Sequence, residues 1–292
     1  MTPRETVDVV IPCFNGASFI ERCIESVLSQ TAPVNKIIFV DDGSTDDSLA
    51  IILKLQEKHS IIKVITQDNR GLAAARNKGI SFSESSLISF LDVDDYWLPS
   101  KIENQLKVFT LYSKDRAIVV ASNYFDEIGS SRRPGISNRS NRVITPTSLL
   151  TYRTVVPGSG SSALIPKLVL EQVGHFDEAL KYGEDLDLWV RISRDFQWCI
   201  SDERDVVIYS NPNGMQAQKL GVNSSFEQDS LKILDRNRRD FSSIKYLVMK
   251  SFIRSISIRG RKQLGLPFFI SSLQLLVGTC YSLTIKIDRR LI

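Results

Sequence analysis

Apolar runs alternate with amphipathic stretches along the first 120 residues of the chain. The runs are rich in β-branched residues, and the stretches repeat apolar residues every three or four positions, as helices do. The pattern predicts strands at 7–11, 37–40, 64–65, 87–91 and 118–120, with helices at 20–28, 49–56, 72–80 and 101–113 between them. Strands separated by helices predict an α/β fold with a mostly parallel, Rossmann-like sheet and helices on both faces.

The second half of the chain is less regular. It contains apolar runs at 161–165 and 206–209, which we interpret as strands, and a helix face formed by Leu186, Trp189, Val190 and Ser193. Residues 129–141 are polar and predict a loop, while the pattern beyond residue 223 is helical and basic.

Polar residues follow three of the predicted strands. They are residues 12–15 after the first strand, 41–44 after the second and 92–95 after the fourth. In open α/β sheets, ligands bind beyond the carboxyl ends of the strands. We therefore expect a binding site at this edge of the sheet.

Asp92 and Asp94 form a D-x-D pair after an apolar run. In an extended strand, residues two apart point to the same side, so the two carboxylates would converge. Hard oxygen ligands suit Mn²⁺ or Mg²⁺, which commonly bridges protein carboxylates and substrate phosphates. The alternative is a surface turn that caps the next helix.

Asp41 and Asp42 precede a glycine and two hydroxyl residues, Ser44 and Thr45, either of which could cap the second helix. Two adjacent aspartates exceed what a cap requires, and one carboxylate can accept a hydrogen bond from a nucleobase N–H.

Further along, Arg76 follows a run of alanines. Its guanidinium could reach a diphosphate, or it could be an ordinary surface arginine.

Glu184 and Asp185 begin a predicted helix whose dipole favours ionised carboxylates at that end. An ionised carboxylate can act as a general base. Charge that merely compensates the helix dipole explains this motif equally well.

Together, these motifs resemble the family 2 glycosyltransferases, which have the GT-A fold, use nucleotide-activated sugars and invert configuration. The resemblance extends over roughly residues 5 to 210. The matching segments, in order, are VIPCFN (10–15), SVLSQT (26–31), VDDGSTD (40–46), NRGLAAARN (69–77), FLDVDD (90–95), GHFDE (174–178) and EDLDLWVR (184–191).

The resemblance implies a role for each candidate residue. On the donor side, it implies Pro12, Asn15 and Asp42 around the base and ribose, Arg76 near the base or diphosphate, Asp92 near the ribose and sugar, and Asp94 on the Mn²⁺ or Mg²⁺ ion. On the acceptor side, it implies Asp185 as the catalytic base with Glu184 beside it. Trp189 would pack under the acceptor site or belong to the core.

The same resemblance divides the chain. A GT-A catalytic domain would span 1–222, with a nucleotide-binding half at 1–122 and an acceptor-binding half at 123–222, followed by a basic helical region at 223–292. Many relatives have a histidine shortly after the last strand, whereas residues 210–215 contain none. Metal binding would then depend more on Asp94, or on Asn211 or Asn213.

Charge is distributed unevenly. Residues 230–292 contain 13 Lys or Arg and 3 Asp, so they carry +10 while the whole chain carries +4. Residues 264–285 contain no charged side chain and lie between basic flanks, which favours an interfacial helix or helical hairpin over a buried helix or an oligomer contact. We therefore expect a cytoplasmic protein, peripheral at the anionic inner face of the membrane, acting on a glycan or lipid-linked acceptor.

The composition excludes several classes of protein. With 42% hydrophobic and 24% charged residues the chain is not disordered, and four cysteines and two histidines exclude a disulfide scaffold and a zinc finger.

A sugar-nucleotide pyrophosphorylase would need a basic phosphate loop after the first strand, where residues 12–16 have no Lys or Arg. A non-catalytic membrane- or nucleic-acid-binding protein is the other alternative, although the acidic clusters would repel nucleic-acid phosphates, so nucleic acid is not expected. A UDP- or dTDP-sugar is the donor that the resemblance implies.

Overall fold

The structure is a computed structural model that describes residues 5–113, 117–135, 143–151, 155–209 and 224–260. The strands are β1 (Val7–Cys13), β2 (Lys36–Asp41), β3 (Ile62–Thr66), β4 (Leu87–Phe90), β5 (Tyr96–Trp97), β6 (Ile118–Ile128), β7 (Ser131–Pro134), β8 (Ala163–Pro166) and β9 (Gln197–Tyr209). The helices are α1 (Ile20–Leu28), α2 (Ser48–Lys58), α3 (Leu72–Phe82), α4 (Lys101–Tyr112), α5 (Pro146–Leu150), α6 (Ser159–Ser162), α7 (Lys167–Val173), α8 (Glu184–Asp195), α9 (Ser224–Arg236) and α10 (Ser243–Gly260), with a 3-10 turn at Arg238–Asp240.

The strands form one sheet in the order β3-β2-β1-β4-β8-β6-β9-β5, with β7 paired to β6. Strands β3, β2, β1 and β4 pair in parallel with one another in this order, and β6 pairs in parallel with β9. Each antiparallel pair contains one of the short strands β5, β7 and β8, which pair with β9, with β6, and with both β4 and β6, respectively. The predicted α/β fold with a mostly parallel sheet is confirmed.

Both faces of the sheet are buried along β1, β2 and β4, and alternate residues of one strand enter different cores. In β1, Val10 packs in one apolar cluster while Val9 and Ile11 pack in the other. This arrangement explains why the strands read as continuous apolar runs. Helix α3 packs closely on β1 at Gly79, where an added Cβ would lie 2.2 Å from a methyl group of Val10.

Two local predictions were wrong. Strand β4 ends at Phe90, and a turn follows in which the N–H of Asp95 bonds the carbonyl of Asp92 over 3.0 Å. Asp92 and Asp94 therefore do not converge through strand alternation. Helix α2 begins at Ser48 after Asp47, so neither Ser44 nor Thr45 caps it. The Ser44 hydroxyl instead accepts the N–H of Asn15 at 3.0 Å.

The second half of the sheet is more extensive than the sequence pattern predicted. Strands β6 and β9 are parallel partners along most of their length, and β6 continues to Ile128. The predicted loop at 129–141 begins as a hairpin, since β7 pairs with β6. The prediction was too short because both strands are only partly buried outside their apolar runs, and an apolar run does not mark those parts.

The described C-terminal region consists of α9, the 3-10 turn and α10. Met249 and Ile253 attach α10 to the same core that contains Ile233 and Leu234 of α9. Within the described residues, none of the helices combines the length and the apolar character required to cross a bilayer. The expected membrane-associated segment at 264–285 lies outside the described residues.

Candidate active site

The turn after β4 brings three aspartates together at the centre of the sheet edge. Ser161 at the end of α6 holds this turn, because its hydroxyl accepts the N–H of Asp92 (3.1 Å) and donates to Asp95 Oδ2 (2.6 Å). The other oxygen of Asp95 accepts the N–H of Tyr209, the last residue of β9, at 2.9 Å. The turn is thereby fixed to both halves of the sheet.

Two carboxyl groups of this cluster, those of Asp94 and Asp95, are costly to ionise. Burial and the charge of Asp92 raise the pKa of Asp94 to about 6. Burial, with Asp92 and Asp94 nearby, also raises the pKa of Asp95 well above its usual range. Carboxylates crowded in this way gain from a cation placed among them.

Arg76 of α3 is one such cation. Its side chain is only 2% exposed, and its guanidinium lies between two carboxylates, with Nη2 2.7 Å from Asp92 Oδ1 and Nη1 3.0 Å from Glu184 Oε1. Burial opposes its charge, but these neighbouring carboxylates raise its pKa. The alternative of an ordinary surface arginine is excluded.

The surroundings of Arg76 fit its guanidinium closely. The centre of the group lies 5.2 Å from the ring of Phe176, and a Cβ added to Gly160 would lie 2.8 Å from Nη2. Glycine at 160 therefore leaves room for the arginine, which joins the turn after β4 to the start of α8.

Glu184 and Asp185 begin α8, as predicted, after Gly183 in a left-handed conformation with φ of 74°. Glu184 is buried against Arg76, whereas Asp185 is half-buried. One oxygen of Asp185 accepts the N–H of Leu186 at 2.7 Å, at the start of the helix. The two neighbouring carboxylates therefore face different environments.

Asn15 and Asp42 connect loops at the same edge. Asn15 follows β1 with a positive φ of 53°, and its side-chain oxygen accepts the N–H of Thr45 at 2.8 Å. Asp42 accepts Gln67 Nε2 and the N–H groups of Arg70 and Gly71 at 2.7 to 2.9 Å. Asp42 thus holds the loop between β3 and α3. The three hydrogen bonds that its carboxylate accepts there leave little acceptor capacity for a ligand.

Pro12 lies within β1 and is buried, next to the exposed Phe14 and Asn15. Trp189 is 3% exposed, and its ring packs edge-on against Trp198 and Phe176 at centroid distances of 5.2 and 6.5 Å. Of the two roles expected for Trp189, the structure supports packing in the core. Its ring is not an open surface for an acceptor.

The order and placement of these motifs agree with a known family. The family model described as Glycosyl transferase family 2 matches residues 8–174, more than half of the chain. The chain belongs to glycosyl transferase family 2. The resemblance stated from the sequence motifs is therefore confirmed.

A curated relative supports the same assignment. An uncharacterized glycosyltransferase of Rickettsia prowazekii is 30% identical over 77% of this chain and 70% of its own length. This family 2 chain is accordingly a glycosyltransferase, neither a pyrophosphorylase nor a non-catalytic binding protein.

Solved structures show the GT-A fold. S. aureus TarS in complex with UDP-GlcNAc superposes with a TM-score of 0.65 at 16% identity, covering 86% of this chain and 72% of that one. GalNAc-T7, solved with UDP, GalNAc and Mn²⁺, gives a TM-score of 0.63 at 18% identity, covering 80% of this chain and 48% of that one.

The turn after β4 fits a divalent cation shared with a substrate. Among the described residues, no three His, Cys, Asp or Glu side chains form a complete metal cage. Mg²⁺ and Mn²⁺ commonly use one or two carboxylates and take further oxygens from phosphates. Asp94, with a pKa raised by burial and by Asp92, is a suitable ligand of that kind. The candidates Asn211 and Asn213 lie outside the described residues.

Three residues of the site were not predicted from the sequence. Ser161 and Asp95 fix the turn, and Arg22 of α1 donates from Nη2 to the carbonyl of Asp94 at 2.7 Å. Arg22 also lies over the ring of Tyr96, 4.6 Å from its centroid. A serine in a polar stretch and an arginine on a helix carry no sequence signal, whereas Asp95 adjoins the D-x-D pair and could have been noticed.

Proposed function

We propose that this glycosyltransferase transfers a sugar from a nucleoside diphosphate sugar, of the UDP or dTDP type, to a hydroxyl of a glycan or lipid-linked acceptor. Donor binding would use the 1–122 half and acceptor binding the 123–222 half. The observation that carries the proposal is the chain of contacts Asp92–Arg76–Glu184, which joins an acidic turn suited to a metal diphosphate to a helix that begins with two carboxylates.

On the donor side, Asp94 would hold Mn²⁺ or Mg²⁺, and Asp92 would lie near the ribose and sugar. The metal, when bound, would neutralise charge that develops on the diphosphate leaving group. UDP-GlcNAc in TarS, and UDP with Mn²⁺ in GalNAc-T7, support this choice of donor and ion. Pro12, Asn15 and Asp42 would form the base and ribose pocket. Asp42 would act mainly by ordering the loop before α3, because three of its hydrogen bonds already go there.

Arg76 would act indirectly. Because both of its terminal nitrogens are occupied by Asp92 and Glu184, it would position these carboxylates. Its buried charge would also lie close enough to assist the departing diphosphate.

On the acceptor side, Asp185 would remove the proton from the attacking hydroxyl. Glu184 is buried against Arg76 and so is the poorer base, whereas Asp185 is half-buried at the helix start. The hydroxyl would attack the anomeric carbon from the face opposite the diphosphate, through a cation-like sugar transition state. A single base without a covalent intermediate gives inversion.

We further propose action at the anionic inner face of the cell membrane, in assembly of surface polysaccharide. The support is the +10 charge of residues 230–292 against +4 for the whole chain. Such a region attracts anionic lipid headgroups.

The decisive experiment is a thermal-shift screen of the full chain against UDP-, dTDP- and GDP-sugars, with and without Mn²⁺. A ligand that binds only the native state raises the melting temperature. We expect one nucleotide to give a shift that requires metal and that disappears in Asp94→Ala. The absence of any shift with a folded protein would refute nucleotide-sugar binding.

A further inference from the structure

Helix α10 is apolar on two opposite faces. Met249 and Ile253 are buried against the protein core at 3% and 5% exposure. Ile244, Leu247 and Val248 lie around the other side of the helix and are 62%, 60% and 38% exposed. Three large exposed apolar side chains that are neighbours on one helix face form a patch, unlike the single exposed hydrophobic residues that are normal on a surface. The outer row therefore marks a contact surface rather than a solvated face.

Basic residues are frequent in the sequence before and along α10. Residues 236–260 contain seven Lys or Arg and one Asp. Lys245 follows Ile244 and lies at the side of the outer row, about 100° around the helix from Ile244, while Arg239 precedes the helix. An apolar row among basic side chains matches the interface of an anionic bilayer, where the row enters the acyl boundary and the cations meet phosphates.

A cavity of about 420 Å³ lies among α8, α9 and the turn before α10. Its lining includes four arginines and two aspartates: Arg191, Arg194, Arg236, Arg239, Asp177 and Asp187. Arg191, Arg194 and Arg236 are paired with Asp187, Asp240 and Asp177 respectively. Arg239 is exposed and has no hydrogen bond or ion pair with another described residue, so its fork of donors is available for a phosphate.

We propose that the outer face of α10, formed by Ile244, Leu247 and Val248 and assisted by Arg239, docks on an anionic lipid bilayer. This inference rests on the proposed action at the membrane and names the surface responsible for it. It is independent of the uncharged segment at 264–285. The helix would lie along the membrane surface, with its Met249 face retained on the protein.

The test is co-sedimentation of the full chain with phosphatidylglycerol and phosphatidylcholine vesicles. We expect the Ile244→Ser/Leu247→Ser variant to lose at least about tenfold in apparent affinity for phosphatidylglycerol vesicles. Arg239→Gln should lose about fivefold, the effect of one basic residue near an anionic surface. The matched controls are Leu111→Ser/Leu168→Ser, two similarly exposed leucines on α4 and α7, and Lys63→Gln on β3. Both controls should bind as the unchanged chain does.

Several results would overturn the proposal. Undiminished vesicle binding by the α10 variant would assign the membrane contact to another part of the chain. Equal binding to both lipids would exclude recognition of anionic headgroups. A change of oligomeric state in the α10 variant, measured by sedimentation, would make the row a contact between copies. The metal-dependent nucleotide shift, measured on the same variants, separates these failures from failure of the transferase proposal because none of the substituted residues lies in the site.

Discussion

Arg76 Nη1 lies 3.0 Å from Oε1 of Glu184, and this contact joins two elements that are 108 residues apart. The same guanidinium holds Asp92 at 2.7 Å. Because Arg76 is 2% exposed, its charge is removed from water and depends on both carboxylates. The donor and acceptor sides of the proposed site are therefore coupled through one side chain.

Replacing Arg76 with Met should destabilise the protein strongly. Glu184 would remain buried without its cation, and breaking a buried ion pair in this way costs about 3–5 kcal/mol. Urea unfolding of the chain measures the loss. The control is Arg70→Met, which removes an exposed pair with Glu178 at 2.8 Å and should cost less than about 1 kcal/mol. Equal losses in the two variants would contradict a coupling role for Arg76.

Asp185→Asn and Glu184→Gln should behave differently. Removing a general base lowers kcat about 10²- to 10⁴-fold, so we expect Asp185→Asn to retain the nucleotide-induced thermal shift but to transfer sugar very slowly. Glu184→Gln should mainly lower stability, because it weakens the pair with Arg76. Steady-state kinetics together with thermal shifts separate the two roles. Normal kcat in Asp185→Asn would exclude Asp185 as the base.

The sequence predicts the nucleotide-binding half of the fold better than the second half. Strands β1, β2 and β4 are buried on both faces, so their apolar runs stand out, and α3, α4 and α8 were placed within a few residues. Strands β6 and β9 extend beyond their apolar runs because only part of each is buried. Pairing across 79 or more residues, as in β6 with β9, leaves no local signal.

The candidate site was also predicted only in part. The motifs place Asp92, Asp94, Glu184 and Asp185 at element ends, but they do not reveal that Arg76 is buried between two of them. A charged residue in a helix ordinarily suggests the surface, and its burial here depends on tertiary partners that arrive from α8. Trp189 is the opposite case: its place in a motif suggests a binding role, but its side chain is buried in the core.

Asp94 should make the stability of the metal-free protein depend on pH. Its pKa is about 6 in the folded chain, above the unfolded value of 3.8, so the folded state binds the proton more tightly. The contribution of the Asp94 carboxyl group to the free energy of unfolding is then fully present below about pH 4 and is lost as the pH rises through 6. We expect Asp94→Asn to be more stable than the unchanged chain by about 2 kcal/mol at pH 8 and by much less at pH 4. Urea unfolding at both pH values, without divalent metal, tests this. A difference independent of pH would show that ionisation of Asp94 is not its cause.

Arg22 should support metal binding without touching the ion. It donates to the carbonyl of Asp94 and lies over Tyr96, so it fixes the turn that presents the carboxylate. Partners of a metal ligand commonly contribute 10- to 100-fold to affinity, and we expect about a tenfold increase in the Mn²⁺ concentration needed for the nucleotide-induced shift in Arg22→Met. Arg22→Lys should recover part of the loss. Lys107→Met, on the exposed surface of α4, is the control and should not change the Mn²⁺ requirement.

Lys101 lies fully buried beneath the sheet, with Nζ 3.0 Å from Ser89 Oγ and 3.7 Å from the centroid of the Trp97 ring. Burial lowers its pKa well below the usual range, an effect that the nearby Asp205 only partly opposes. Below about pH 10, Lys101 is protonated in the unfolded chain, whereas burial in the folded chain disfavours its protonation. The side chain therefore destabilises the fold at neutral pH, and this destabilisation becomes smaller as the pH rises. Lys101→Met keeps most of the side-chain volume without a charge to bury, and should raise the free energy of unfolding by about 2 kcal/mol at pH 7. The gain should shrink toward pH 9.5 in urea unfolding experiments. A loss of stability at pH 7 would instead show that the ammonium group remains charged in the core and that its contacts with Trp97 and Ser89 outweigh the cost of burial.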